Sequence, residues 1–89
     1  MRSRTTTQFR KSFAGLPKQV QEQTRAAYRQ FKENSKHPSL RFKKVQPELP
    51  IYSARVSKNY RAVGQLEGDT VIWVWVGSHS EYDKLLSQF

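Results

Sequence analysis

Three side chains in this sequence are of a type and spacing that could move a phosphoryl oxygen's charge and a proton: Arg55, Arg61 and His79. Arg55 and Arg61 sit in two alternating apolar runs joined by the short Ser57-Lys58-Asn59 turn, so paired strands would bring two guanidinium groups onto one small area of sheet. Guanidinium forks match phosphate oxygens in pairs and keep their proton. His79 follows at the end of the next apolar run, and imidazole, with an ordinary pKa of about 6.5, is the side chain suited to exchanging a proton near neutral pH. Two cations and one imidazole are what phosphodiester cleavage without a metal requires. Each also has a plainer role: His79 as a cap of the segment after it, and the arginines as exposed strand residues that discourage edge-to-edge pairing.

The elements that must position these residues follow from periodicity. Phe9, Phe13 and Leu16 predict a short helix from about Thr7 to Ala14, and the Thr5-Thr6-Thr7 run before it suits a strand or an N-cap equally. Pro17 opens a second helix in which Leu16, Val20, Thr24, Ala27 and Phe31 recur at steps of three or four, with Glu22–Arg25 and Arg29–Glu33 as prospective ion pairs on the solvated side. Asn34-Ser35-Lys36-His37-Pro38 ends it. Leu40 to Val45 alternates as a strand with a basic face that includes Lys43. Ile51–Ser57, Tyr60–Leu66 and Thr70–Val76 read as three further strands, the last, TVIWVWV, being the most apolar and so central, with Trp73 and Trp75 on a shared face. Glu67-Gly68-Asp69 is the turn between the last two. Ser80 with Asp83 predicts the cap of a final helix bearing Tyr82, Leu85, Leu86 and Phe89 on one face. The fold class is therefore α+β: a helix pair on a small antiparallel sheet of three to four strands with a short C-terminal helix, as one domain over residues 1–89, too short for a second core.

Composition narrows the partners. Sixteen Lys and Arg against seven Asp and Glu give a formal net charge of +9, which favours a polyanion. The absence of Cys removes disulfide scaffolds and thiolate metal sites, and His37 and His79 are too isolated to make a zinc set, so no metal or cofactor is expected. No window approaches the roughly 18 apolar residues of a membrane span, and a cytoplasmic location with no membrane partner is expected.

The order of elements resembles the RelE/ParE superfamily of bacterial toxins from toxin–antitoxin pairs. Tyr60-Arg61, opening a strand shortly after Arg55 on the preceding one, is similar to that family's strand pair that holds the scissile phosphate. Val76-Gly77-Ser78-His79-Ser80-Glu81-Tyr82 is similar to its Gly-x-His or Gly-His-Arg element followed by an aromatic residue. Where some members carry two alternate lysines this chain reads Tyr52-Ser53-Ala54-Arg55, with Arg55 in place of one of them. The resemblance implies a RelE-like fold and an endoribonuclease that cleaves mRNA on the ribosome and inhibits translation. Its catalytic residues are His79, Arg61 and Arg55. Tyr82 is assigned as a stacking surface for a base, and Lys58, Tyr60 and Lys43 as further substrate-binding residues. It also implies a cognate antitoxin protein through which oligomers form. Two alternatives on the same fold are a gyrase-directed toxin without nuclease activity and a non-catalytic RNA-binding or degenerate toxin.

If phosphate contacts dominate RNA binding, affinity must fall with salt, by about 0.7 logarithmic units per decade of salt for each phosphate neutralised on a single strand. A titration at several salt concentrations checks this; an affinity independent of salt would remove the basic surface from RNA contact.

Overall fold

The computed structural model describes residues 1–88, and the place expected for Phe89 on the final helix lies outside them. The chain runs β1 (Arg2–Thr5), α1 (Thr7–Ala14), α2 (Lys18–Glu33), a 3-10 turn (Pro38–Leu40), β2 (Lys43–Lys44), β3 (Ile51–Ser57), β4 (Tyr60–Glu67), β5 (Thr70–Ser78) and α3 (His79–Leu86). The strands form one five-stranded sheet in the order β1-β5-β4-β3-β2. Among the described residues no helix is long and apolar enough to cross a membrane.

The sheet has one more strand than expected and is mixed, because the N-terminus pairs in parallel with β5, Arg2 opposite Thr70 through Thr5 opposite Trp73. The threonine run serves both of its prospective uses. Thr5 ends β1, and Thr6 caps α1, its Oγ1 accepting from the Phe9 amide at 3.1 Å while donating to the Trp73 carbonyl at 3.0 Å. Beyond the end of β1, Ser12 Oγ of α1 accepts from the Val76 amide at 3.2 Å, so the edge of β5 stays paired after its partner strand has stopped. β5 is thus interior to the sheet, as its composition predicts.

β2 is much shorter than the Leu40–Val45 strand read from alternation. Leu40 is drawn into the core at 2% exposure by the 3-10 turn, and Arg41 then takes a left-handed backbone with φ 44°, which reverses the chain before extended pairing resumes at Lys43. The prospective ion pairs of α2 are not formed. Among the described residues no Lys or Arg lies within 4.0 Å of a carboxylate; Arg25 instead lies over the Phe13 ring at 5.0 Å and Lys32 over Tyr28 at 5.5 Å, where the aromatic faces attract cations.

Both faces of the sheet are packed. On one, α1 and α2 cover Ala54, Ala62, Val71, Trp73 and Val76 with Phe9 and Phe31. On the other, α3 brings Tyr82 onto Ile51 and Val63, flanked by Val74, Trp75 and Leu85. The two tryptophans therefore do not share a face. Gly64 pairs with Trp73 and Val63 with Trp75, leaving Val74 as an extra residue, and a bulge of one residue shifts the side-chain alternation of everything after it. Trp73 closes the helix-side core, edge-on to Phe31 at 5.3 Å, while Trp75 turns toward α3.

The final helix starts earlier than the Ser80–Asp83 pattern suggests. Ser78 is its N-cap, with Glu81 as the reciprocal partner of a capping box, and the His79 amide donates to the Asn59 carbonyl at 2.7 Å. A Glu at the third helical position reaches back to the cap residue, which Asp83 would do less well from a shorter side chain. His79 becomes the first helical residue, held against the β3–β4 turn.

Gly77 is where the strand meets the Trp75 ring: a β-carbon there would lie 2.4 Å from Trp75 Cζ2. Gly77→Ala should destabilise the protein by about 1–3 kcal/mol, since the half-buried indole must leave its contacts beside α3 to make room. A denaturant midpoint equal to the parent's would mean that Trp75 does not occupy this position.

Candidate active site

Arg55 and Arg61 are direct cross-strand partners in the β3–β4 ladder. Like charges placed opposite each other on one sheet face are destabilising by a few tenths to about 1 kcal/mol, so packing alone gives no reason for this pair. The structure adds a constraint on Arg61 that strand alternation does not reveal. Its Nη1 donates to the carbonyls of Ser57 at 2.7 Å, Tyr60 at 3.0 Å and Lys58 at 3.3 Å. One edge of the guanidinium is thereby bound to the β3–β4 turn, and the remaining nitrogens stay available to a ligand. Desolvation by burial, and then the positive charge of Arg55, lower the Arg61 pKa from its ordinary value; guanidinium still holds its proton at neutral pH. An anion placed between the two arginines would offset the repulsion between them.

A cleft of about 220 Å³ opens over this pair, lined by Arg41, Lys43, Ser53, Arg55, Arg61, His79 and Tyr82. His79 sits at its rim with its side chain 48% exposed, Nδ1 being 3.3 Å from Asp83 Oδ2 one helical turn on. In so exposed a pair the carboxylate contributes little to stability; its effect is to orient the ring and to leave Nε2 as the nitrogen free for proton exchange. Tyr82 steadies the same ring edge-on, the centroids 5.6 Å apart.

The structure brings His79, Arg55, Arg61, Lys43 and Tyr82 to one cleft and leaves Lys58 and Tyr60 out of it. Lys58 is exposed in the turn and contributes its carbonyl to Arg61. Tyr60 alternates with Arg61 along β4 and so belongs to the helix side of the sheet. The role expected of Tyr82 also changes. It is 7% exposed and its hydroxyl donates to Ser53 Oγ at 3.1 Å inside the core, which makes it a wall of the cleft with no open face for a base to stack on. Arg41 is the residue that sequence reasoning passed over. Its spacing from Lys43 on the basic side of Leu40–Val45 was the available signal, and the left-handed turn at Arg41 delivers it to the cleft. Among the described residues no three His, Cys, Asp or Glu side chains are grouped as metal ligands.

This sheet, helix pair and terminal helix define an α+β fold. The family model described as ParE-like toxin domain matches residues 18–84, and the chain belongs to that family. Among solved structures it resembles a chain of the RelB–RelE antitoxin–toxin complex from Methanococcus jannaschii, with a TM-score of 0.72 and 22% identity over 90% of this chain and 95% of that one. It also resembles a chain of the RelBE2 toxin–antitoxin complex from Mycobacterium tuberculosis, with a TM-score of 0.61 and 25% identity over 88% and 96% of the two chains. YafQ from E. coli matches with a TM-score of 0.66 and 15% identity over 92% and 98%. No curated protein sequence matches.

Arg55→Gln should relieve the like-charge contact. We expect thermodynamic stability to stay level or rise by up to about 1 kcal/mol, read as a denaturant midpoint in phosphate-free buffer. A clear loss of stability would mean that Arg55 serves packing and that the pair is not strained.

Proposed function

We propose that this toxin is an endoribonuclease that cleaves mRNA without a metal, acting at the ribosome and so inhibiting translation. The observation that carries the reading is the convergence on one cleft of Arg55 and Arg61 from two paired strands and of His79 from the start of α3. In the reaction the ribose 2′-oxygen attacks the adjacent phosphorus, the 5′-oxygen departs, and a 2′,3′-cyclic phosphate and a 5′-hydroxyl result. Arg55 and Arg61 hold the non-bridging oxygens and stabilise the additional negative charge of the phosphorane, a contribution largest in a cleft that excludes bulk water. Two protons move, one from the 2′-hydroxyl and one to the 5′-oxygen. His79 carries one of these transfers through Nε2, and solvent carries the other. Lys43 and Arg41 extend the cationic surface along the RNA backbone.

The antitoxin reading is supported by the relatives whose structures are antitoxin–toxin complexes. An antitoxin with acidic residues over Arg55 and Arg61 would pair with both guanidinium groups, and binding only the native toxin would raise its melting temperature.

His79→Gln tests the chemistry directly. Glutamine keeps size and hydrogen bonding but does not exchange a proton near neutrality, so cleavage should fall roughly 10²–10⁴-fold with RNA or ribosome affinity nearly unchanged. Cleavage by the parent should persist in EDTA. A His79→Gln protein that cleaves at the parental rate would remove His79 from the chemistry. A parent that leaves RNA intact and blocks DNA supercoiling would replace the nuclease by a toxin acting on a topoisomerase.

A further inference from the structure

The cleft does not end at Arg55. β2 pairs only with Ser53 and Tyr52, so the edge of β3 from Arg55 to Ser57 has no β2 partner, and the β3–β4 register shifts between these same two residues. At this open edge Arg55 lines a second hollow as well as the first: a groove of about 490 Å³ between α2, the 3-10 turn and the end of β3. Its α2 wall is the stripe Gln23, Ala26, Ala27 and Gln30, spaced at three and four residues along one helical face. Leu40 and Val56 form the apolar floor, and Ser39 and Ser57 add hydroxyls. In a chain with 26% charged residues, Arg55 is, among the described residues, the only charged one lining this groove.

We propose that the groove is a nucleobase subsite, taking the base of the nucleotide next to the phosphate held by Arg55 and Arg61. The composition suits that ligand. Alanines let a flat ring approach the helix, the apolar floor covers its face, and two amides carrying both donors and acceptors can pair with a base edge. The volume lies in the range of small-ligand sites. Arg55, shared by both hollows, fixes the distance between phosphate and base, so the RNA strand passes from cleft to groove over the uncovered edge of β3. This inference rests on the RNA reading above and assigns to it the element that selects among sequences.

The test uses short single-stranded ribonucleotides that carry a 2′-deoxy residue at the scissile position, so that they bind without being cut, in parallel with cleavable versions. In one series an abasic residue is placed at each position in turn. The parent should lose roughly tenfold in affinity, the loss of one or two net hydrogen bonds with their apolar contact, at one position beside the scissile phosphate and less elsewhere. Ala26→Phe, an exposed helix position whose larger side chain would fill the groove, should bind the intact oligonucleotide as weakly as the parent binds that abasic one, and should be indifferent to the abasic substitution there. Gln23→Ala combined with Gln30→Ala should alter which base is preferred at that position in cleavage, with a parental circular-dichroism spectrum. An Ala26→Phe protein with parental affinity and cleavage pattern across the series overturns the subsite while leaving the nuclease intact. A parent that binds and shows the abasic effect but cleaves neither these oligonucleotides nor mRNA on added ribosomes sinks the nuclease reading and keeps the groove. A parent that binds none of the oligonucleotides, or an Ala26→Phe variant that loses only an antitoxin, overturns the inference.

Discussion

The candidate site is organised around two positive charges held opposite one another. Arg55 and Arg61 face each other across the β3–β4 ladder, and Arg61 is bound on one side by three turn carbonyls, so Arg61 cannot swing away from Arg55 without giving up those bonds. The surrounding elements keep the pair in place. The two-residue Lys58–Asn59 turn fixes the register, α3 is tied to that turn through the His79 amide and Asn59, and β5 pairs Gly77 with Arg61 on its other side. Stability given up at this point is supplied by the two cores, a trade between site and scaffold common to proteins that bind anions.

The bulge at Val74 makes this arrangement possible on so small a sheet. Before it, β5 sends Val71 and Trp73 to the helix pair; after it, Val76 joins them while Trp75 faces α3. The extra residue thereby moves Trp75 to the face opposite Trp73. Without the extra residue Trp75 would stay on the side of Trp73, and α3 would lose the neighbour that seats Tyr82 and, through Tyr82, the His79 ring. The glycines at 64 and 77 fit the same logic, each giving space to a tryptophan ring.

Much of this was legible in the sequence because it is local. The 3.6-residue recurrence of Val20, Thr24, Ala27 and Phe31, the alternation of Ile51–Ser57 and the apolar density of TVIWVWV each follow from side-chain periodicity, and the joint placement of Arg55, Arg61 and His79 follows from short turns between adjacent strands. What was not legible is either long-range or a break in period. The pairing of Arg2–Thr5 with Thr70–Trp73 spans nearly the whole chain. The bulge at Val74 violates the alternation from which facing is deduced, and it misplaced Trp75. The left-handed Arg41 ended one element and brought a cation into the cleft, with a backbone that its residue type does not announce. Tyr82 was readable as aromatic and near the site, but only its bond to Ser53 shows that its ring is committed to the core.

The central claim is that the paired arginines and His79 form a single centre for one phosphodiester. It is tested most directly by a crystal structure of the protein with a short RNA made uncleavable by a 2′-deoxy residue at the scissile position. The account predicts one phosphate between the guanidinium groups of Arg55 and Arg61, with His79 Nε2 within hydrogen-bond reach of the 5′-oxygen or of the position of the missing 2′-hydroxyl. A phosphate seated elsewhere, with the arginines unoccupied and His79 turned to solvent, would contradict it.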